Sequence, residues 1–204
     1  MFIIFGFFGF MYFFTQTFIV PTHLIHCKLD DAIPFCEIFI IPYVSWYLYI
    51  LLPLLYLCFK SKRDFYAMCI QLFMGMFITM VTFAVYPTYI DFRPTEFEQN
   101  NIFTWIIQNL IYANDQPTNV CPSLHCYESV AICTTMIKSE PLQNRRKTNI
   151  FFIISAILIC ASTVFIKQHS IIDVVFGVAL IIPAHLLTYK IVMPALDKKK
   201  NPLY

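Results

Sequence analysis

Six apolar stretches, residues 2–20, 38–59, 65–85, 124–137, 150–166 and 171–193, divide the chain and restrict what it can fold into. In a bilayer core every backbone N–H and C=O has to pair internally, so a span is either a helix or a strand of a closed barrel. Val and Ile are common in these stretches, yet runs of about 20 residues without turn signals fit helices. Five of the six reach that length unaided. The fourth is short, and either gains length from residues 121–123 or is shielded by its neighbours. A composition 59% hydrophobic and 13% charged excludes an ordinary soluble domain. The first stretch lacks a basic n-region and a small-residue cleavage site, and reads as a retained span rather than a signal peptide. The expected fold is all-α, a six-transmembrane-helix bundle.

Basic residues set the orientation. With the N-terminus inside, Lys60, Lys62, Arg63, Lys138, Arg145, Arg146, Lys147, Lys190, Lys198, Lys199 and Lys200 fall on the cytoplasmic side, and only Lys28, Arg93 and Lys167 outside. That asymmetry predicts cytoplasmic N- and C-termini. The net charge of +2 points to no nucleic-acid partner; the basic clusters are topology signals and contacts for anionic lipid. Cys58, Cys69, Cys133 and Cys160 lie in spans and read as packing residues. Cys27 and Cys36 share one external loop, where a bridge and two free thiols are both compatible with the spacing.

Between the spans, loop 21–37 holds His23, His26, Asp30 and Asp31, whose irregular spacing favours a solvated loop over a metal site. The turn at 60–64 is tight and cytoplasmic. Segment 86–121 is the longest non-spanning piece and a functional suspect. Its centre, 101–112, predicts an interfacial helix with Trp105 at headgroup depth. Pro117-x-Asn119-x-x-Pro122-Ser123 then reads as a rigid turn feeding a helix start, with Asn119 or Ser123 as its cap. The first amides of that helix would favour an anion. After the tight connection 162–170, Ser170-Ile171-Ile172-Asp173 matches a capping box.

Two of these pieces, Pro122-Ser123-Leu124-His125 and His169-x-x-x-Asp173, place two histidines and an aspartate at one edge of the bundle. Ionisable groups at membrane helix ends are costly and commonly functional. Two imidazoles, one with a carboxylate a helical turn away, suit histidine-based phosphoryl or acyl transfer. One attacks, the carboxylate fixes its tautomer, and the other protonates the leaving oxygen. Arg93, Lys167, Ser123 and the amides after Pro122 are the available donors for phosphoryl oxygens.

Plainer readings exist for each residue. Ser170 and Asp173 serve equally as a helix cap, and His125 as the partner of a buried carbonyl. Cys121, His125 and Cys126 are poorly spaced for zinc and lack a fourth ligand. Glu128, three residues after His125 on the same helical face, could tune His125, touch a substrate head group or pair inside the bundle. His185 reads as a packed, hydrogen-bonded histidine deep in the last span. Asp91, Glu96, Glu98 and Asp115 give the long loop an acidic, mostly solvated cast, with Asp91 able to pair with Arg93. The spans are otherwise nearly bare of ionisable groups, which counts against a transporter.

On these motifs the chain resembles the type-2 phosphatidic acid phosphatase superfamily, which also includes vanadium haloperoxidases. The family's motifs run Lys-x6-Arg-Pro, Pro-Ser-Gly-His and Ser-Arg-x5-His-x3-Asp. Here they correspond to Arg93-Pro94, Pro122-Ser123-Leu124-His125 and Ser162-Thr163-x5-His169-x3-Asp173, over roughly residues 60 to 190. The resemblance implies His169 as nucleophile, Asp173 as its orienting partner and His125 as general acid. It implies that Arg93, Ser123 and the Leu124 amide hold phosphate, and that no metal or other cofactor is required. Asn119, Glu128, Ser162 and Thr163 are further candidates, and Lys167 is the evident replacement cation. The family's lysine falls on Tyr86 and its third-motif arginine on Thr163, so two phosphate-binding cations are absent. Pro117-x-Asn119-x-x-Pro122-Ser123-Leu124-His125 also resembles the branch containing inositol phosphorylceramide synthases, which are transferases and tolerate leucine in place of that glycine.

The expectation is one integral membrane catalytic domain over 1–204, with its motifs within 86–173, in a bacterial plasma membrane and with its site facing outside. The expected activity is hydrolysis of a lipid phosphomonoester or prenyl pyrophosphate. Its alternatives are head-group phosphotransfer on the same fold and a non-enzymatic transporter or inactive scaffold. Its partners would be a lipid phosphate and the bilayer, with oligomeric state open.

Overall fold

The structure, a computed structural model, describes residues 2–200. Helix α1 (Phe2–Phe18) is followed by a short strand β1 (His23–Leu24) and the one-turn helix α2 (Lys28–Ala32). Helices α3 (Ile40–Lys60) and α4 (Lys62–Val85) form a hairpin turned on Ser61, whose hydroxyl accepts from the Asp64 amide. Strand β2 (Thr88–Tyr89), helix α5 (Ile102–Tyr112), α6 (Leu124–Lys138), α7 (Arg146–Phe165) and α8 (Ile171–Asp197) complete the order. Four helical segments, Glu37–Lys60, Lys62–Val85, Arg146–Phe165 and Ile171–Asp197, are long and apolar enough to cross a membrane. On that ground the chain is an integral membrane protein. The outer faces of α3 and α7 carry exposed Leu48, Leu52, Phe151 and Ile157, a contiguous apolar surface of the kind that water does not tolerate.

The short fourth stretch gains nothing from residues 121–123. Ser123 is an extended N-cap, so α6 keeps 15 residues, about 22 Å at 1.5 Å per residue. It is shielded instead. Helices α3, α4, α7 and α8 all pack on it, burying Tyr127, Glu128, Ser129, Ile132 and Thr135. Enclosure by protein explains how α6 tolerates so many polar side chains. At Gly75 of α4 the Tyr127 ring lies so close that a Cβ would overlap it, and the Tyr127 hydroxyl donates to the Gln71 carbonyl.

Helix α8 approaches the start of α6 equally closely. A Cβ on Gly177 would sit 2.5 Å from the Ser123 carbonyl oxygen and 3.2 Å from the Cys126 Cβ. The Ser123 amide donates to the Asp173 carbonyl across the same contact. Gly177→Ala is therefore expected to cost about 1–3 kcal/mol, read as a lower thermal midpoint in detergent. An unchanged midpoint would contradict this packing.

Several expectations change. The chain is mostly helical but not purely so, because β1 and β2 pair in parallel with His23 opposite Thr88 and Leu24 opposite Tyr89. Loop 21–37 is not a solvated loop at its centre: Asp30 is fully buried, held down by donors from α8 that no local pattern reveals. Cys27 and Cys36 are free thiols. His26 lies between Asp31 at 2.8 Å and Asp91 at 3.2 Å, so Asp91 pairs with His26 rather than Arg93. His185 is half-buried near the basic end, where Lys138 Nζ meets its Nε2, rather than deep in the span.

Candidate functional site

The connection from α7 to α8 positions His169. After α7 the amides of Gln168 and His169 both donate to the Thr163 carbonyl, at 2.9 and 3.0 Å. Lys167 takes the left-handed region, φ 55°, which a side chain with a Cβ enters only under tertiary constraint. The constraint is visible: Lys167 Nζ donates to the carbonyl of Asp30 at 2.6 Å and to that of Ile33. Ser170 then caps α8, its Oγ accepting from the Ile172 amide at 3.1 Å.

Asp173 does two jobs with one oxygen. Its Oδ2 accepts from the Ser170 amide at 2.9 Å, closing the capping box, and lies 3.3 Å from His169 Nδ1. The helix-cap and histidine-partner readings are thus compatible rather than rival. With Nδ1–H donating to the carboxylate, Nε2 keeps its lone pair for another partner. Burial pushes the His169 imidazole down, but the hydrogen bond and charge of Asp173 outweigh it, and the net shift is upward.

His125, in the first turn of α6, faces His169 with ring centroids 5.9 Å apart. Its ring is fixed by stacking on Tyr43 at 4.7 Å and by Trp46 at 4.3 Å. Below it the hydroxyl of Ser123 accepts from the Cys126 amide at 3.5 Å. The amides of Leu124 and His125 come before the first intrahelical acceptor, leaving two donors at the positive end of the α6 dipole.

Both histidines line a cavity of about 410 Å³ enclosed by α1, α3, α4, α5 and α6. Arg93, Asp115, Asn119 and Gln168 stand at its polar end, while Trp46, Met76, Met80 and Phe83 line its apolar length. A cavity polar at one end and apolar along its length suits an amphiphile. Arg93 donates through Nη1 to the Asp115 carbonyl at 2.7 Å and lies over the Tyr112 ring at 4.6 Å. Burial pulls its pKa down while the charge of Asp115 opposes that.

The candidates divide accordingly. His125, His169, Arg93, Leu124, Asn119 and Glu128 all line the cavity, and Asp173 lies directly behind His169. Ser123 does not present its hydroxyl there; it is fully buried under the helix it caps. Ser162 and Thr163 are also fully buried, donating to the carbonyls of Ile159 and Cys160. Lys167 does not line the cavity, and its ammonium is held by the carbonyls of Asp30 and Ile33. Among the described residues no three His, Cys, Asp or Glu side chains gather as a metal site.

Sequence reasoning missed Asp115 and Asp30. The Asp115 carboxylate accepts from Gln168 at 2.7 Å, from Tyr43 at 3.4 Å and from Tyr12. It is a hub tying α1, α3 and the His169 connection together, not a solvated loop charge. Its one available signal was its place two residues before Pro117, in the turn that feeds α6. Asp30 accepts from Ser170 Oγ at 2.7 Å and the Ile171 amide at 2.9 Å, some 140 residues away in sequence.

The sequence pattern that defines the PAP2 superfamily matches residues 65–196, most of the chain, and the chain belongs to that superfamily. The PAP2 family is generally made of metal-independent phosphatases, and membership points to a phosphate-ester substrate. Among curated proteins and among solved structures, none matches the chain.

Proposed function

We propose that this protein is a membrane lipid phosphatase that hydrolyses a lipid phosphomonoester or prenyl pyrophosphate through a phosphohistidine. The observation that carries the reading is the Asp173–His169–His125 arrangement at the polar end of an apolar cavity. His169 Nε2 attacks phosphorus as the bond to the leaving oxygen breaks, and His125, as imidazolium, gives that oxygen its proton. Neutral His125 then takes a proton from water, whose oxygen displaces His169 and releases phosphate. Arg93 and the amides of Leu124 and His125 stabilise charge on the phosphoryl oxygens. Six helices, α1, α3, α4, α6, α7 and α8, cross the bilayer, with the histidine end extracytoplasmic, as the basic residues at the opposite end favour. Helix α5, with Ile107 and Ile111 buried and Trp105 exposed, lies in the interface over the cavity.

A second reading has its own support. With Lys167 held by the carbonyls of Asp30 and Ile33, Arg93 is the one lysine or arginine lining the cavity among the described residues. A single cation suits a singly charged phosphodiester better than a phosphomonoester dianion. Head-group transfer to a lipid hydroxyl, as in the inositol phosphorylceramide synthase-like branch, would use the same histidines, with that hydroxyl in place of water.

The deciding experiment follows labelled phosphate from a mixed lipid pool with chelator present. Label appearing as free phosphate supports hydrolysis, and label in a new lipid supports transfer. Activity lost to the chelator and restored by zinc would overturn both. The pH–rate profile provides a further check. A nucleophilic His169 has to be unprotonated at Nε2, so the rate climbs as pH rises through its pKa. Asp173 holds that pKa up, so Asp173→Asn is expected to move the acid limb to lower pH while slowing turnover; an unmoved limb would remove His169 as the titrating group.

A further inference from the structure

We infer that Glu128 is a specificity-determining residue that selects lipid phosphates bearing a free hydroxyl or amine beside the phosphate ester. The inference rests on the lipid-phosphate reading above. Glu128 is only 5% exposed, yet it lines the same cavity as His125 and His169. Among the described residues no hydrogen bond or ion pair reaches its carboxyl group. The cations that could have neutralised it are engaged elsewhere: Arg93 on Asp115, Lys167 on Asp30 and Ile33, and Lys138 on His185. A buried carboxyl group without a partner is costly, and such a group beside a cavity is accounted for by a ligand that completes it.

Depth identifies what that ligand presents. Glu128 lies three residues beyond His125, about one helical turn further from the polar end. The contact of Tyr127 with Gly75 puts it near the level of Met76 of α4, while Met80 and Phe83 lie about one and two turns nearer the start of α6, packed with Leu124. A phosphorus held between His169 and the first amides of α6 lies about one helical turn from Glu128, within reach of its ester oxygen and the next few carbons. Those carbons meet Glu128. In a fully esterified glycerol backbone they offer only acceptor oxygens, none of which can donate to the Glu128 carboxyl group. A free hydroxyl donates to it, and a free amine adds opposite charge.

The test measures binding, so it does not depend on turnover. Three single-chain phosphonates of equal length are compared, with a hydroxyl, an amine or a methoxy group beside the phosphonate carbon. Affinities are measured for the full chain in detergent micelles, for wild type, Glu128→Gln and Glu128→Leu. The hydroxyl and amine compounds are expected to bind wild type about tenfold more tightly than the methoxy compound. That preference should vanish in Glu128→Leu. Glu128→Gln should keep the hydroxyl preference and lose any extra gain from the amine. The tighter of the two in wild type identifies which donor the site takes. Equal affinities in wild type, tighter methoxy binding, or a preference unchanged in Glu128→Leu would overturn the inference. Should the variants fail to fold, the wild-type ranking alone decides. Binding of none of the three would overturn the lipid-phosphate reading as well, whereas binding without preference removes only the role of Glu128.

Discussion

His169→Ala is expected to abolish phosphate release, with a loss of about a thousandfold or more. The side chain is placed by main-chain bonds that alanine retains: the residue-169 amide to Thr163, and the Ser170 amide to Asp173. The fold should therefore survive, and an unchanged thermal midpoint would show that chemistry alone was lost. Asp173→Asn differs in kind. The amide still occupies the cap but no longer supports a positive imidazole, so activity should fall by about 10² to 10⁴ and not disappear. Full activity in His169→Ala would sink the phosphohistidine mechanism, and with it both the hydrolase and the transferase reading.

Asp30→Ala is expected to destabilise the protein by about 3 kcal/mol and to impair turnover, although Asp30 does not line the cavity. Its carboxylate accepts from the Cys27 amide at 2.8 Å, from Ser170 Oγ and from the Ile171 amide. Alanine would leave these donors without their acceptor at the helix start that carries Asp173. Asp30→Asn retains one acceptor oxygen and should fall in between. Burial raises the pKa of this carboxyl, but the bonds from Ile171, Ser170 and Cys27 outweigh it and hold the pKa below the ordinary aspartate value. The stabilisation is thus complete above that ordinary value, about 3.9, and disappears as pH falls through the lower folded-state value. Thermal unfolding in detergent across acid pH reads this directly. Wild type should lose stability there and Asp30→Ala should lose less; parallel curves would contradict the clamp.

These two residues mark the limit of what was legible. The His169–Asp173 pair lies within one helical turn, so its geometry follows from spacing, as does the capping box that shares its oxygen. The Ser123 cap and the helix at 101–112 were legible for the same reason: turn chemistry is local. Asp30 looked like a solvated loop residue because its partners are 140 positions away. Lys167 looked free to meet a phosphate because nothing nearby in sequence competes for it; the competing carbonyls are those of Asp30 and Ile33. Asp115 looked solvated because Tyr12, Tyr43 and Gln168 come from three other parts of the chain.

By itself the sequence determined the apolar helices and the motif residues, because both are encoded within about 20 residues: hydrophobic length for the spans, four-residue spacing for the histidine pair. Only the tertiary structure decided which charges remain available to a ligand. Buried charges take whatever donors and acceptors the packed helices bring to them, and that competition left Arg93 facing the cavity, withdrew Lys167 from it, and kept Glu128 inside it without a partner.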